Sequence, residues 1–144
     1  MVNSGTTITW EAWDQRYKPN QDWNHAWGAA PANLLPRFVL GVQLAEAGWS
    51  RVLIRPPQGE AVTWCEGKVP TPRGQVEVRW ERAGGFNLLF TLPEGMVADV
   101  DIPVSADDEV VLVNSEPVEA SRQGNRWHLT ALKGKNQIST HRRN

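Results

Sequence analysis

Glu11 stands between two indoles, Trp10 and Trp13, with Asp14 close behind. A carboxylate walled by aromatic side chains suits the acid–base work of a sugar hydrolase. The walls desolvate the group and tune its pKa, while flat rings hold a sugar by its C–H faces. If Thr9 to Trp13 runs extended, Trp10 and Ala12 face one way and Glu11 and Trp13 the other. Glu11 fits an ordinary surface ion pair equally well, and the residues alone leave both readings open. Asn24-His25 then opens a stretch of helical character. A polar residue there can cap free N–H groups, whereas a neutral imidazole can both donate to and accept from a sugar hydroxyl.

Tryptophan is over-used: of twelve aromatic residues eight are Trp, and Trp10, Trp13, Trp23 and Trp27 crowd the first 27 positions. They read either as sugar-contacting faces or as bulky core. Trp49, Trp64, Trp80 and Trp127 lie scattered through the later sequence and read as core. Other chemistries find little footing. Three His residues without paired spacing make no zinc site. Asp99, Asp101, Asp107 and Asp108 lack the Gly turn and closing Glu of a calcium loop. There is no phosphate-cradling Gly loop and no serine elbow. Cys65 is the single cysteine, so no intrachain disulfide can form. It lies in strand-like sequence without basic neighbours, the setting of a small packing residue rather than a nucleophile.

Two kinds of element must position these groups. From Asn24 to about Val42 small and apolar residues predominate, with Leu34, Leu35, Phe38, Val39 and Val42 at mixed three- and four-residue spacings, which predicts a buried helix. Pro31 suits a first helical turn and Gly41 a stop. Pro36 must bend the helix or loosen one turn, since it removes a backbone donor. Apolar on most sides, this helix expects neighbours that the sequence does not supply. After about Gly48 short alternating runs take over, broken by Pro and Gly. Arg51–Arg55, Val62–Val69, Gln75–Arg82, Phe86–Leu92, Val97–Ile102, Glu109–Val113 and Arg126–Leu132 read as strands. Gln75 to Trp80 alternates so as to bury Val76, Val78 and Trp80, and Ala83-Gly84-Gly85-Phe86 makes a hairpin turn. So many short strands predict a sandwich or small barrel. The basic tail His141-Arg142-Arg143-Asn144 reads as a solvated or disordered end.

Composition sets outer bounds. Fifteen basic against sixteen acidic residues give no electrostatic case for nucleic acid or an anionic membrane. No apolar run approaches the ~20 residues of a membrane-spanning helix. The opening Met1-Val2-Asn3-Ser4-Gly5 has none of the regions of a signal peptide, and the compartment is left open.

The order of motifs resembles one family. Thr6-Thr7-Ile8-Thr9-Trp10-Glu11-Ala12-Trp13-Asp14 is similar to the loop that carries a catalytic carboxylate in the α-L-rhamnosidases of glycoside hydrolase family 78. Asn24 to Pro31, continued by Arg37 to Val42, resembles the last helix of their six-hairpin α/α toroid. Val52-Leu53-Ile54-Arg55-Pro56, Gly67 to Gly74 and Val78-Arg79-Trp80 resemble the opening of their C-terminal β-sandwich. The resemblance implies a mainly β chain, with residues 1–46 the end of the toroid and 47–144 the sandwich. It implies a fragment of an inverting hydrolase that releases terminal α-L-rhamnose from glycosides, with neither metal nor organic cofactor. Glu11 would be the general base, His25 a contact to the rhamnose ring, and Trp10, Trp13 and Trp27 candidate pocket walls. Inversion needs a second carboxyl group about 6.5–9.5 Å away as general acid. The family carries that acid on loops absent from this sequence, so the chain is expected to be inactive alone. The other readings are a non-catalytic carbohydrate-binding sandwich and a purely structural one. Self-association through the exposed helix, and a region from about Gly48 onward that folds by itself, complete the expectations.

Overall fold

The fold was obtained as a computed structural model, which describes residues 10–12, 14–22, 25–104 and 109–142. Two compact units divide the chain, Met1–Leu35 and Pro36–Asn144.

In the first unit a chain of turns leads into a short helical segment. Ala26–Ala29 forms a 3-10 turn, and α1 follows over Ala30–Leu34 with Pro31 in its first turn. Proline is tolerated there because its missing N–H would have no intrahelical partner anyway.

The second unit opens on a π-turn, Leu35–Leu40. The Gly41 N–H reaches back five residues to the Pro36 carbonyl at 3.0 Å, the wide ring of a loosened turn. Pro36 thus loosens the turn and Gly41 stops it, with φ at +94° where only glycine is unstrained. The helix expected to reach Val42 is therefore shorter and irregular, because Pro36 breaks its ladder. Nor is it buried on all sides. Leu34, Leu35 and Phe38 are each about half exposed, at 47%, 56% and 52%.

Among the described residues eleven strands follow: β1 (Val42–Leu44), β2 (Arg51–Ile54), β3 (Trp64–Thr71), β4 (Gly74–Arg82), β5 (Phe86–Thr91), β6 (Val97–Pro103), β7 (Glu109–Val113), β8 (Glu116–Val118), β9 (Ser121–Gln123), β10 (Arg126–Lys133) and β11 (Lys135–Arg142). They make two sheets, β1-β2-β6-β10-β9 and β3-β4-β5-β11-β7-β8. Every pairing is antiparallel except β2 with β6. The inward rows share one core. Val52, Ile54, Ala98, Val100 and Ile102 come from the first sheet; Val76, Val78, Trp80, Phe86, Leu88, Phe90 and Ile138 come from the second. The mainly β sandwich is as expected, and β4 alternates as its sequence dictates, burying Val76, Val78 and Trp80. Trp80 also donates its indole N–H to the Val39 carbonyl at 3.2 Å, so the largest core side chain leaves no buried donor unpaired.

The structure departs from the sequence reading at two places. The basic tail is not a loose end: His141 and Arg142 close β11, which pairs with β5 on one side and β7 on the other. Ile138 and Thr140 point inward on that strand and are buried, which the surrounding polar residues conceal. Arg143 and Asn144 lie outside the described residues. Sheet structure also begins earlier than the alternating pattern suggests, with Val42–Leu44 paired to Val52–Ile54.

Candidate functional site

The loop from Trp10 to Asp22 folds back on itself so that its two ends meet. The Glu11 N–H donates to the Asp22 carbonyl at 3.1 Å, and the Asp22 N–H donates to Glu11 Oε2 at 3.1 Å. Local chemistry makes the reversal. Asp14 Oδ1 accepts the Arg16 N–H at 2.9 Å, the turn a short carboxylate favours two residues ahead of itself. The Tyr17 N–H bonds the Asp14 carbonyl at 3.0 Å, and Gln21 Oε1 accepts the Ala12 N–H at 3.2 Å from a buried position. Residues 10–12 run through bends rather than the extended strand considered above.

This closure brings Lys18 onto Glu11, its ammonium hydrogen-bonded to Oε1. His25 Nδ1 lies 3.9 Å from Glu11 Oε1 and 3.5 Å from Asp22 Oδ2. Glu11 is thus a recessed carboxylate, its side chain 17% exposed, facing one ammonium, one backbone N–H and one imidazole. The Lys18 hydrogen bond holds its pKa below the ordinary carboxylate value; the Asp22 N–H helps, against a smaller opposing effect of desolvation. Such a group is ionised at neutral pH: it can accept a proton, though less avidly than a free carboxylate because its pKa is lowered. It is not suited to donate one.

Of the residues singled out from sequence, Glu11 and His25 come together. Trp10 is half-buried beside Glu11 in sequence. Trp13 lies outside the described residues, as do Trp23 and Asn24, and only the backbone of Trp27 is described. His25 stands at the N-terminus of the 3-10 turn, but its side chain makes no capping bond. Sequence reasoning missed Lys18 and Asp22. A signal was present: Asp14 stands two residues before Arg16, where a short carboxylate favours a turn, and a turn midway between Glu11 and Asp22 can bring the two together.

Glu11, Asp22 and His25 place ligand atoms within 4.8 Å of one another, a spacing a cation could span. Lys18 already neutralises Glu11, and a dication there would have to displace it. Of the aspartates considered for calcium, Asp99 and Asp101 serve the first sheet, and Asp107 and Asp108 lie outside the described residues. Asp99 pairs with Arg51 at 2.8 Å and accepts the Ala131 N–H at 3.0 Å, bracing the irregularity of β10 between Leu129 and Leu132. Asp101 meets His128 Nδ1 at 2.5 Å and Arg55 at 3.7 Å. Cys65 is half-buried in β3, and desolvation raises its thiol pKa, as befits a packing residue. Trp64 corrects the reading of the later tryptophans as core: Trp80 is fully buried, but Trp64 is 60% exposed.

Comparison with known proteins places the chain as a whole. Residues 41–116 match the family model described as the bacterial α-L-rhamnosidase C-terminal domain, and residues 1–39 match the bacterial α-L-rhamnosidase six-hairpin glycosidase domain. An α-L-rhamnosidase of Streptomyces avermitilis is 30% identical over 118 residues, 76% of this chain and 11% of that protein. One from Alteromonas sp. is 27% identical over 128 residues, 82% of this chain and 14% of that protein. Among solved structures, the α-L-rhamnosidase from Dictyoglumus thermophilum superposes with a TM-score of 0.83 at 18% identity, covering 99% of this chain and 17% of that one. The Streptomyces avermitilis enzyme complexed with L-rhamnose gives 0.77 at 24% identity, covering 96% and 14%. At those identities the superpositions establish a shared fold. The chain spans between a tenth and a fifth of the length of these relatives.

Proposed function

We propose, for a chain that belongs to the bacterial α-L-rhamnosidase family, that its first unit supplies the general base for hydrolysis of terminal α-L-rhamnosides. Within this reading the toroid end occupies residues 1–46 and the sandwich 47–144. Glu11 is the base. His25 reaches the rhamnose ring, and Trp10, Trp13 and Trp27 wall the pocket. The observation that carries the reading is the placing of Glu11. Its recessed carboxylate stands 3.9 Å from the His25 imidazole and is ionised, the state a group needs to take a proton from water. Inversion asks for that ionised group on the face opposite a protonated partner. The partner is to come from outside these 144 residues, so the substrate, a rhamnosyl glycoside, belongs to the complete enzyme. Self-association through the helical segment is part of the same reading, supported by the exposure of Leu34 and Leu35.

Two measurements test it. The 144-residue chain, free of host glycosidases, should not hydrolyse an aryl α-L-rhamnoside above the buffer rate, because one carboxylate cannot both protonate the leaving oxygen and activate water opposite it. In the full-length enzyme that carries this segment, Glu11→Gln should lower kcat about 10²–10⁴-fold with folding intact. Azide, a nucleophile that needs no base, should restore part of the rate. Wild-type kcat in Glu11→Gln, with the loss appearing in Asp14→Asn instead, would mean the roles are assigned to the wrong carboxylate.

A further inference from the structure

The outward face of the six-stranded sheet carries a feature that hydrolysis at Glu11 does not use. Register fixes two neighbouring rows there. Trp64 on β3 stands across from Glu81 on β4, which stands across from Asn87 on β5. One step along, Glu66, Arg79, Leu89 and Gln137 line up across β3, β4, β5 and β11. Leu89 and Trp64 are exposed, at 38% and 60%, whereas most large apolar side chains of this unit are buried. Three shallow hollows adjoin on this face, and Arg79 borders all of them. Trp64 walls two, and Leu89 with Gln137 walls the third.

We propose that this face is a saccharide-binding surface, with the Trp64 indole as the platform for a neutral pyranose ring of an oligosaccharide. The chemistry fits at three points. An exposed indole presents a flat, electron-rich face to ring C–H groups. Leu89 prolongs the apolar strip toward β11, while Asn87, Gln137 and the carboxylates around Arg79 offer bonds to the hydroxyls at the ring's rim. The polar groups are already held in place: Arg79 binds Glu66 at 2.9 Å and Glu81 at 3.2 Å, so little side-chain freedom is lost on binding. Charge selects the class of sugar. Arg79 is matched by its two carboxylates and Lys68 by Glu77 at 2.5 Å, leaving no unmatched cation on these rows to attract a uronate.

The test uses the intact chain, labelled with ¹⁵N so that each indole N–H gives its own signal. The Trp64 signal is the one lost in Trp64→Ala, and unchanged positions of the remaining indole signals show that the variant is folded. Titration with a β-linked gluco-oligosaccharide and with galactomannan oligosaccharides should move the Trp64 signal saturably. Trp64→Ala should weaken binding about tenfold or more, and Trp64→Phe only a few-fold, since a smaller aromatic ring still stacks. Glu11→Gln should leave the titration unchanged, which separates this surface from the proposed base. A Trp64 signal that stays still with every neutral oligosaccharide overturns the proposal. So does one that moves with protein concentration alone, marking contact between copies, or one that responds only to an oligogalacturonate.

Discussion

At the scale of single residues, Lys18 is the largest influence on the pKa of Glu11. A carboxylate whose folded pKa is depressed contributes stability above its ordinary value of 4.5, and that contribution is lost as pH falls through the folded value. The same sign governs a base: below its folded pKa it carries a proton and cannot take another. Replacing Lys18 by Met removes the hydrogen bond that lowers the pKa most. The acidic limb of kcat/KM in the full-length enzyme should therefore move to higher pH, with the alkaline limb in place. A limb that stays put would show that Lys18 does not control the base. Residue type left Glu11 and His25 open between a site and ordinary surface partners, and the structure brings the two side chains to 3.9 Å. Lys18 and Asp22 were not legible, because their roles depend on a turn that brings distant backbone together. Nor could alternation tell which later tryptophan faces water. Trp64 starts an edge strand ahead of the clear period-two pattern of β4, and only the register with Glu81 shows its side.

At the scale of elements, two glycines mark where backbone passes backbone. A Cβ on Gly85, at φ +133°, would lie 2.2 Å from the Thr140 carbonyl oxygen. At Gly41 it would lie 2.6 Å from the backbone of Arg55 and Pro56. Neither neighbour is a flexible side-chain tip, so Gly85→Ala should cost about 3 kcal/mol through overpacking and backbone strain together, read from chemical denaturation. Gly84→Ala, with open space beside it, serves as the comparison and should cost less. If Gly85→Ala proves as stable as wild type, β5 and β11 are not closed at that turn. The turn itself was plain in sequence as Ala83-Gly84-Gly85-Phe86, since adjacent glycines between two alternating runs have few other uses. β11 was hidden because its buried positions are Asn136, Ile138 and Thr140, and two of these three are polar. Thr140 hydrogen-bonds the Phe86 N–H at 3.0 Å, a satisfied polar group that hydrophobic periodicity cannot detect.

At the scale of the molecule, the second compact unit begins at Pro36, ahead of Gly48. Leu40 and Val42 are buried in the sandwich core, Leu40 packs onto Gly67, and the Val39 carbonyl takes the Trp80 N–H. Residues 36–144 should fold cooperatively. A chain starting at Gly48 should be less stable by about 3–6 kcal/mol, from two lost apolar side chains and an orphaned indole donor. Equal stability of the two would mean that this stretch adds nothing to the core. The mainly β architecture was readable because strand patterns dominate the second unit, while its boundary was not, since the helical spacing of Leu35 to Val42 disguises residues that serve the sheet. The place of β11 has a consequence for how the protein is made. Among the described residues it is the last strand, yet it joins β5 to β7. While a ribosome is still delivering it, the larger sheet exists as two separate flaps, β3-β4-β5 and β7-β8, each with a bare edge of unpaired amides. Those edges can recruit strands from other nascent chains until Ile138 arrives. A premature stop anywhere before Lys135 should thus yield an aggregating product rather than a slightly shortened domain.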